Sequence, residues 1–583
     1  MSNNLVEITA LERDDRIDEI QNNFAQALQA ESGYTKLSAE QQSKIQTVLD
    51  QLKAMRFDSA DNFQTIAESL LAPIAPDLTP YIGIALQNAR NALPDTPGVL
   101  VIYTGGTIGS APKDPADPDS PQVVKSWKEL KSAAPKLGAL GYPVDAISFV
   151  EPLDSCNVGP AHWGTIAYIV RDHYADYAGF VILHGTDTMP YTASALGFML
   201  QELNKPVVAT ASQVGGIVNP RNDAHQNMVT AIMLANPLAN NLPIIPEVFI
   251  AFGNRVIRGV RAKKMDVISF QGFDSPNLPL LGDCGDSIKI NRALIRQPSG
   301  LPLEVYDQMD THVITLEMFP GIQDAGVLGS ILDNKELKGV VVKAYGAGNI
   351  PTQSDFLDLF STFVKRGGIV VVVTGVPAGE VEMGLYETSQ VLLDRDLIGG
   401  FDLTAEAALC KLMVLLGTYP NEPETVKQLM QQSLVGEQRL NLMTTKYAGA
   451  GQVAAGNAAT LSPTPLDSVE DIDRIERVML RLKQACLDTA GEESANLSLA
   501  LHDGSDLGSY KREAVGAFVQ DDAIGESLAI DLTKYRDHFV SRDSGSKMGN
   551  KLKLGFKIAV EGAEDACLSW QDAELNIYVQ DQG

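Results

Sequence analysis

Three segments of this sequence combine glycine, hydroxyl and charged residues in a way that can assemble a nucleophile with its helpers. The first is Val101-Ile102-Tyr103-Thr104-Gly105-Gly106-Thr107-Ile108-Gly109. An apolar run leads directly into two glycines and a threonine. Without a Cβ, glycine lets the backbone turn tightly and approach a ligand closely, so Thr107 would stand at the carboxyl edge of a parallel sheet, where α/β proteins bind ligands. The pattern lacks the spacing of the dinucleotide fingerprint and the lysine of a phosphate-binding P-loop. Alone it reads first as an ordinary strand-end turn.

The second segment is Phe180-Val181-Ile182-Leu183-His184-Gly185-Thr186-Asp187-Thr188-Met189. Again an apolar strand ends in glycine and hydroxyl residues, now with a carboxylate. Asp187 is also a plausible cap for a following helix, and His184 reads as a buried strand-end histidine rather than a base. Two strands with Gly-Thr ends favour a shared crevice. The third segment, Arg258-Gly259-Val260-Arg261-Ala262-Lys263-Lys264-Met265-Asp266, leads to Phe270-Gln271-Gly272-Phe273-Asp274-Ser275-Pro276-Asn277. A Lys-Lys pair is ordinarily a solvated basic turn. Brought close to Asp187, a lysine can instead relay a proton, which a threonine hydroxyl requires to act as a nucleophile at neutral pH.

The elements that would position these residues fall into four regions. Residues 1–95 read as a helical extension: Ser38–Met55 opens with a capping sequence and places Ile45, Val48, Leu49 and Leu52 on one face. Residues 96–290 alternate β-branched strands (Val99–Tyr103, Phe180–Leu183, Val207–Ala209, Val248–Phe252) with amphipathic stretches such as Tyr191–Leu203, the pattern of buried parallel strands joined by helices. Gly282–Tyr306 reads as a connector. A second α/β lobe, residues 310–442, carries strands at His312–Leu316, Gly339–Ala344 and Gly368–Thr374. Gly449–Pro465 has the composition of a linker. In residues 466–583, Ile472, Ile475, Met479, Leu482 and Cys486 predict a helix, and the period-two runs Leu552 to Val560 and Leu575 to Val579 predict a small β-sandwich.

Bulk properties restrict the chemistry. The 583 residues exceed what one core organises. A formal charge of −27, from 73 acidic and 46 basic residues, disfavours nucleic acid and anionic membrane as general partners. The N-terminus lacks the basic and apolar regions of a secretory signal, and no apolar run approaches the ~20 residues of a membrane helix. Five scattered cysteines and seven scattered histidines signal neither a disulfide framework nor a metal site. A cytoplasmic chain is the expectation.

Taken in order, the TGGTIG and HGTDTM stretches with Lys264 downstream resemble the bacterial-type asparaginase/glutaminase family, in its cytoplasmic type I-like branch. Asp154-Ser155-Cys156-Asn157 resembles the family's substrate-binding segment. Tyr345-Gly346-Ala347-Gly348-Asn349 and Asp402–Leu409 resemble its C-terminal lobe, so the similarity spans roughly residues 96–442. The resemblance implies a doubly wound N-terminal lobe and a smaller α/β lobe, assembled as a homodimer or homotetramer. It implies hydrolysis of L-asparagine, with L-glutamine as the alternative substrate, without a cofactor or metal. It makes Thr107 the nucleophile, with Thr186, Asp187 and Lys264 as its partners. Gly106, Asp154, Ser155, Cys156, Gly185 and Asp187 become substrate-binding positions.

This chain also departs from the family. The loop after the first motif, Ser110–Lys125, holds no tyrosine, and none follows until Tyr142; Tyr386 in Met383-Gly384-Leu385-Tyr386-Glu387 is the candidate to assist Thr107 instead. Cys156 stands where serine is usual. Thr374-Gly375-Val376-Pro377 and Lys263 lack the residues of the allosteric type I effector site, so that regulation is not expected here. Two other readings remain: an ammonia-generating amidotransferase subunit of the archaeal glutamyl-tRNA type, and a catalytically silent binding protein.

Overall fold

The computed structural model describes residues 23–31, 34–54, 60–78, 81–82, 84–85, 97–114, 122–132, 140–215, 221–323, 325–383, 391–447, 450–461, 475–483, 485–488, 494–501, 506–513, 528–535, 540–541, 551–552, 556–561 and 567–581. The chain divides into two compact units, Met1–Asp307 and Gln308–Gly583.

The first unit opens with helices α1 (Ala39–Ala54) and α2 (Ala60–Leu71). Ser38 and Gln41 cap α1 reciprocally: the Ser38 Oγ accepts from the Gln41 N–H at 3.3 Å, and the Gln41 Oε1 accepts from the Ser38 N–H at 3.1 Å. Ile45, Val48, Leu49 and Leu52 are buried in a helical core with Phe24, Leu28 and Leu71.

The rest of this unit is built on an eight-stranded sheet. Its members are β1 (Val99–Gly105), β2 (Val144–Leu153), β3 (Gly179–Leu183), β4 (Val207–Thr210), β5 (Val248–Phe252) and β6 (Arg255–Arg258). A separate hairpin, β7 (Lys263–Lys264) with β8 (Phe273–Asp274), precedes the last two members, β9 (Gly282–Cys284) and β10 (Ile288–Ile290). The order across the sheet is β2-β1-β3-β4-β5-β6-β9-β10. β1 to β5 pair in parallel, and β6, β9 and β10 close the edge antiparallel. The segment read as a connector from Gly282 therefore begins as sheet: its two short strands continue the ladder, and the missing signal is their brevity. Because β1 lies between β2 and β3, the chain reverses its direction of travel there, and the carboxyl ends of β1 and β3 flank a topological switch point.

Helices α3 (Pro160–Asp172), α4 (Met189–Met199) and α5 (Ala224–Ala235) cover the sheet. The amphipathic helix predicted at Tyr191–Leu203 is α4, which begins and ends earlier and is buried on nearly every face. Its successor Leu200–Gln201 leaves the helix to pair with Glu304–Val305. A buried ion pair, Arg258 Nε to Glu247 at 2.6 Å, ties β6 to the approach of β5.

The second unit carries a parallel sheet of β11 (Val313–Glu317), β12 (Gly339–Ala344), β13 (Ile369–Thr374) and β14 (Ile398–Gly399) in that order, flanked by α6 (Ser354–Lys365) and α7 (Ala405–Thr418). Thr404 caps α7 by accepting from the Ala407 N–H at 3.1 Å. Lys411 on α7 is wholly buried against Glu437 at 2.6 Å, and backbone carbonyls of Met430 and Gln432 accept from the same ammonium.

Among the described residues the C-terminal region is β apart from one 3₁₀ turn at residues 533–535. Its strands are β15 (Leu440–Tyr447), β16 (Gly451–Ala454), β17 (Ala458–Leu461), β18 (Ile475–Lys483), β19 (Cys486–Asp488), β20 (Ser494–Leu501), β21 (Asp506–Glu513), β22 (Leu528–Asp531), β23 (Phe556–Glu561), β24 (Cys567–Trp570) and β25 (Asp572–Gln580). They form antiparallel sheets β15-β25-β18-β22, β16-β24-β19 and β17-β23-β20-β21 around one apolar core, and a further short antiparallel pair joins Val540–Ser541 to Lys551–Leu552.

Two expectations are corrected here. The helix predicted from Ile472 to Cys486 is a strand over Ile475–Lys483. Val478, Leu480 and Leu482 alternate into the core while Arg477, Arg481 and Lys483 take the other face, and this period-two pattern outweighs the weaker heptad-like spacing. The linker expected at Gly449–Pro465 contains strands β16 and β17. The β region thus begins at Leu440, where β15 pairs with β25. Small residues suit these strands because bulkier neighbours cover them: a Cβ on Gly451 would lie 2.1 Å from the Trp570 ring. No helix among the described residues is long and apolar enough to cross a membrane.

Candidate active site

The site is made by strand ends that meet backbone to backbone. β1 runs into Gly105 and Gly106, with φ of 120° and 83°, conformations that L side chains rarely adopt. The Gly106 N–H donates to Leu153 O at 2.8 Å, tying β1 to the end of β2. On the other side a Cβ at Gly106 would lie 2.3 Å from Gly185 N, and one at Gly185 would lie 2.6 Å from the Ser155 Oγ. The Gly-Gly-Thr and Gly-Thr-Asp turns and the Asp154–Cys156 turn therefore converge because neither glycine carries a side chain. Thr107 and Thr186 each follow one of the touching glycines.

Hydroxyl groups lock this junction. The Thr104 Oγ1 donates to Leu183 O at 3.0 Å, and the Thr188 Oγ1 donates to Ser155 O at 2.6 Å. The Ser155 Oγ accepts from the Asp187 N–H at 3.3 Å. Asp154 caps its own short turn, accepting from the Cys156 N–H at 3.2 Å. Sequence reasoning does not single out Thr104 and Thr188; a hydroxyl beside a strand-end glycine marks Thr104, and Thr188 carries no such local signal.

Lys264 completes the cluster. It lies on β7, whose pairing with β8 holds it opposite Phe273. Its ammonium donates to the Thr186 Oγ1 at 2.9 Å and to the Asp187 Oδ1 at 2.7 Å. The lysine side chain is 18% exposed and that of Asp187 62% exposed, so the cation sits inward and the carboxylate faces outward. Such an arrangement presents a fixed negative charge to an incoming ammonium group and leaves Thr186 as a hydroxyl relay beside the half-sheltered Lys264. Thr107, half-buried, starts a short 3₁₀ turn over Thr107–Gly109. Its hydroxyl makes no hydrogen bond among the described residues, so it is free to turn toward a ligand.

Cys156 is exposed. Desolvation pushes its thiol up, and the carboxylates of Asp154 and Asp187 add to that shift, so it is a neutral polar neighbour of the site rather than a thiolate nucleophile. Tyr142, the first tyrosine after the Thr107 motif, is a core residue. Tyr103 is also buried and donates to Lys125 O at 2.7 Å, and Lys125 N–H donates to Gly109 O at 2.9 Å. Those bonds pin both ends of the loop after Thr107. Tyr386 lies outside the described residues.

His184 supports the site without taking part. It is fully buried, and its pKa is pushed down to about 4 by burial. Its Nδ1 donates to Gly185 O at 2.8 Å, and its Nε2 accepts from the Thr192 hydroxyl at 2.9 Å, which in turn accepts from the Trp163 indole at 2.9 Å. Such a chain requires the neutral ring. Among the described residues, no group of three or more His, Cys, Asp or Glu side chains is placed to hold a metal ion.

Two outcomes follow. Gly106→Ala places a Cβ against the Gly185 backbone and forces a strained φ, and should destabilise the protein by about 2 kcal/mol or more; denaturation matching the unmodified chain would contradict the backbone junction. For His184, the unfolded ring takes up its proton near 6.5 and the folded ring only near 4. The unfolded state binds more protons between those values, so this contribution to stability is full above pH 6.5 and declines as the pH falls toward 4. It amounts to about 3 kcal/mol. Chemical denaturation at several pH values should show a shallower acid-side slope for His184→Gln; an unchanged slope would contradict the assignment.

Comparison with known proteins agrees with this geometry. Residues 98–296 match the model of the asparaginase N-terminal domain, and residues 312–430 match that of the glutaminase/asparaginase C-terminal domain. L-asparaginase 1 of Escherichia coli (strain K12) is 37% identical over 341 residues, covering 58% of this chain and 97% of that protein. The 60 kDa lysophospholipase of Mus musculus is 34% identical over 361 residues, covering 59% of this chain and 62% of that protein. Among solved structures, L-asparaginase I from Vibrio cholerae superposes with a TM-score of 0.52 at 34% identity, covering 59% of this chain and 99% of that one. With both domain models matched in order and a strand-end site of glycines, threonines, Asp187 and Lys264, this chain belongs to the asparaginase family.

Proposed function

We propose that this protein hydrolyses the side-chain amide of L-asparagine to L-aspartate and ammonia through an acyl-threonine at Thr107. The observation that carries the reading is the Lys264 ammonium bridging Thr186 and Asp187, on the strand end whose backbone touches Gly106. The substrate's ammonium pairs with Asp187, and Ser155, Cys156 and the flanking backbone of Gly106 and Gly185 hold its polar groups. Positioned in this way, the amide carbon comes within reach of the Thr107 Oγ.

The Thr107 oxygen adds to that carbon, and its proton passes to the departing nitrogen, which leaves as ammonia. Water then adds to the ester, and a proton relayed through Thr186 and Lys264 returns the free hydroxyl and releases the carboxylic acid. Tyr386 remains the proposed aid to Thr107. L-glutamine is a second candidate substrate, since one methylene alters selectivity by only about 1–3 kcal/mol. The reading includes a cytoplasmic homodimer or homotetramer working without a cofactor; free cysteines such as the buried Cys284 and Cys410 fit a reducing compartment.

Ammonia release from L-asparagine and L-glutamine tests this, with lysophosphatidylcholine as an ester control. Asparagine turnover should fall by about 10³-fold or more in Thr107→Ala and Lys264→Met. Ester cleavage without amide hydrolysis, or undiminished turnover in Thr107→Ala, would overturn the proposal.

A further inference from the structure

Within the second unit, a cleft of about 890 Å³ opens between the outer face of the β15-β25-β18 sheet and the segments around Val381–Met383 and Leu397–Phe401. Its volume is that of a small-molecule site. The sheet's inner face carries Val478, Leu480, Leu482, Leu575 and Ile577 into the β core. Alternation therefore aims Arg477, Arg481, Lys483, Glu574, Asn576 and Tyr578 at the cleft.

Most charges on this wall are matched. Arg481 bonds Asp394 at 3.1 Å and Glu574 at 3.0 Å, Lys483 meets Asp396 and Glu574 at 3.3 Å, and Arg439 holds Glu380 at 3.1 Å and Glu476 at 2.6 Å. Glu476 reaches Arg439 because β18 bulges there: Ile475 pairs with Val579 and Arg477 with Tyr578, leaving Glu476 as the extra residue. Four charged cleft residues, Arg477, Glu382, Asp531 and Asp572, have no ion partner among the described residues, and Arg477 is the basic one of the four. Arg477 lies over the Tyr578 ring at 5.8 Å, and Glu382 projects from the opposite wall. Arg481, although buried, keeps an Nε–H with no acceptor among the described residues.

Between these polar groups is an apolar patch. Phe401, Leu440 and Leu442 cluster with Tyr578 apart from the other cores, and the Phe401 and Tyr578 rings meet edge to face at 6.1 Å. Phe401 holds a φ of 49°, a costly conformation for an aromatic residue and one that recurs at ligand clamps. The lining carries six basic and eight acidic side chains, so a phosphate or dicarboxylate meets net repulsion. A lone cation leaves Arg477 unanswered.

We propose that this cleft binds a small zwitterion with an apolar side chain, an amino acid of the phenylalanine, leucine or methionine type. Its carboxylate meets Arg477, its ammonium meets Glu382, and its side chain rests on Phe401 and Tyr578. Such a ligand lacks the side-chain amide needed at Thr107, so its binding does not depend on the proposed hydrolysis.

Titration calorimetry on the full chain tests this with L-phenylalanine, L-leucine and L-methionine, and with 3-phenylpropionate and phenethylamine as single-charge analogues. At least one amino acid should bind one-to-one. Arg477→Ala and Glu382→Gln, with melting temperatures unchanged without ligand, should weaken it about tenfold or more, as should removal of either ligand charge. No binding of the three amino acids up to about 10 mM would overturn the proposal. Equal binding by a single-charge analogue, or full affinity in both variants, would do the same.

Discussion

The contact on which the rest of this molecule's chemistry depends is the meeting of bare backbone at the ends of β1, β2 and β3. Gly106 lies between Leu153 and Gly185 at distances that admit no Cβ, and Gly185 in turn lies against Ser155. A parallel sheet delivers its strands to one edge, and the β2-β1-β3 order opens a crevice there. Glycine closes that crevice far enough for residues on three separate segments to share one small volume. The threonines next to the contact, and the Thr104 and Thr188 hydroxyls that brace it, take their positions from it.

Charge is placed around this junction according to burial. His184, deep under the turn, is held neutral and serves as a donor–acceptor link between Gly185 and Thr192. Lys264 sits half-sheltered with its partners Thr186 and Asp187 both supplied by the HGTDTM turn, while Asp187 faces outward. Elsewhere the buried ions include the pairs Arg258–Glu247 and Lys411–Glu437, and Asp223, whose carboxylate instead accepts from the Gln213 and Val214 N–H groups. Breaking one side of such a pair is costly because the survivor is left uncompensated. The charges lining the cleft beside Phe401 are mostly paired, the exceptions among the described residues being Arg477, Glu382, Asp531 and Asp572, and the lone unpaired cation among them gives the cleft its character.

Much of this was legible in the residues. Apolar runs ending in Gly-Gly-Thr or Gly-Thr-Asp marked both the strands and their functional ends, since a buried parallel strand needs continuous β-branched residues and a close approach needs glycine. Ile45, Val48, Leu49 and Leu52 located α1 for the same local reason. The region after Leu440 was harder to read. In Ile475–Lys483 both helical and strand periods can be drawn through the apolar residues, and only pairing with β25 decides between them. The Gly- and Ala-rich stretch before Pro465 looked like a linker because its strands are packed by Trp570 and other distant residues, whose contribution no local window contains. At the site itself, the Lys264 contacts with Thr186 and Asp187 depend on a hairpin that brings together residues almost eighty positions apart, so spacing offered the candidates while the fold supplied the contact.

Thr107, rather than Thr186, is proposed to form the covalent bond to substrate. Peptide mapping by mass spectrometry after reaction with a diazoketone analogue of asparagine examines this directly. A single adduct is expected on the peptide containing Thr107, suppressed by excess L-asparagine and missing in Thr107→Ala. Labelling of Thr186 instead, or asparagine hydrolysis that continues with Thr107 fully modified, would contradict it.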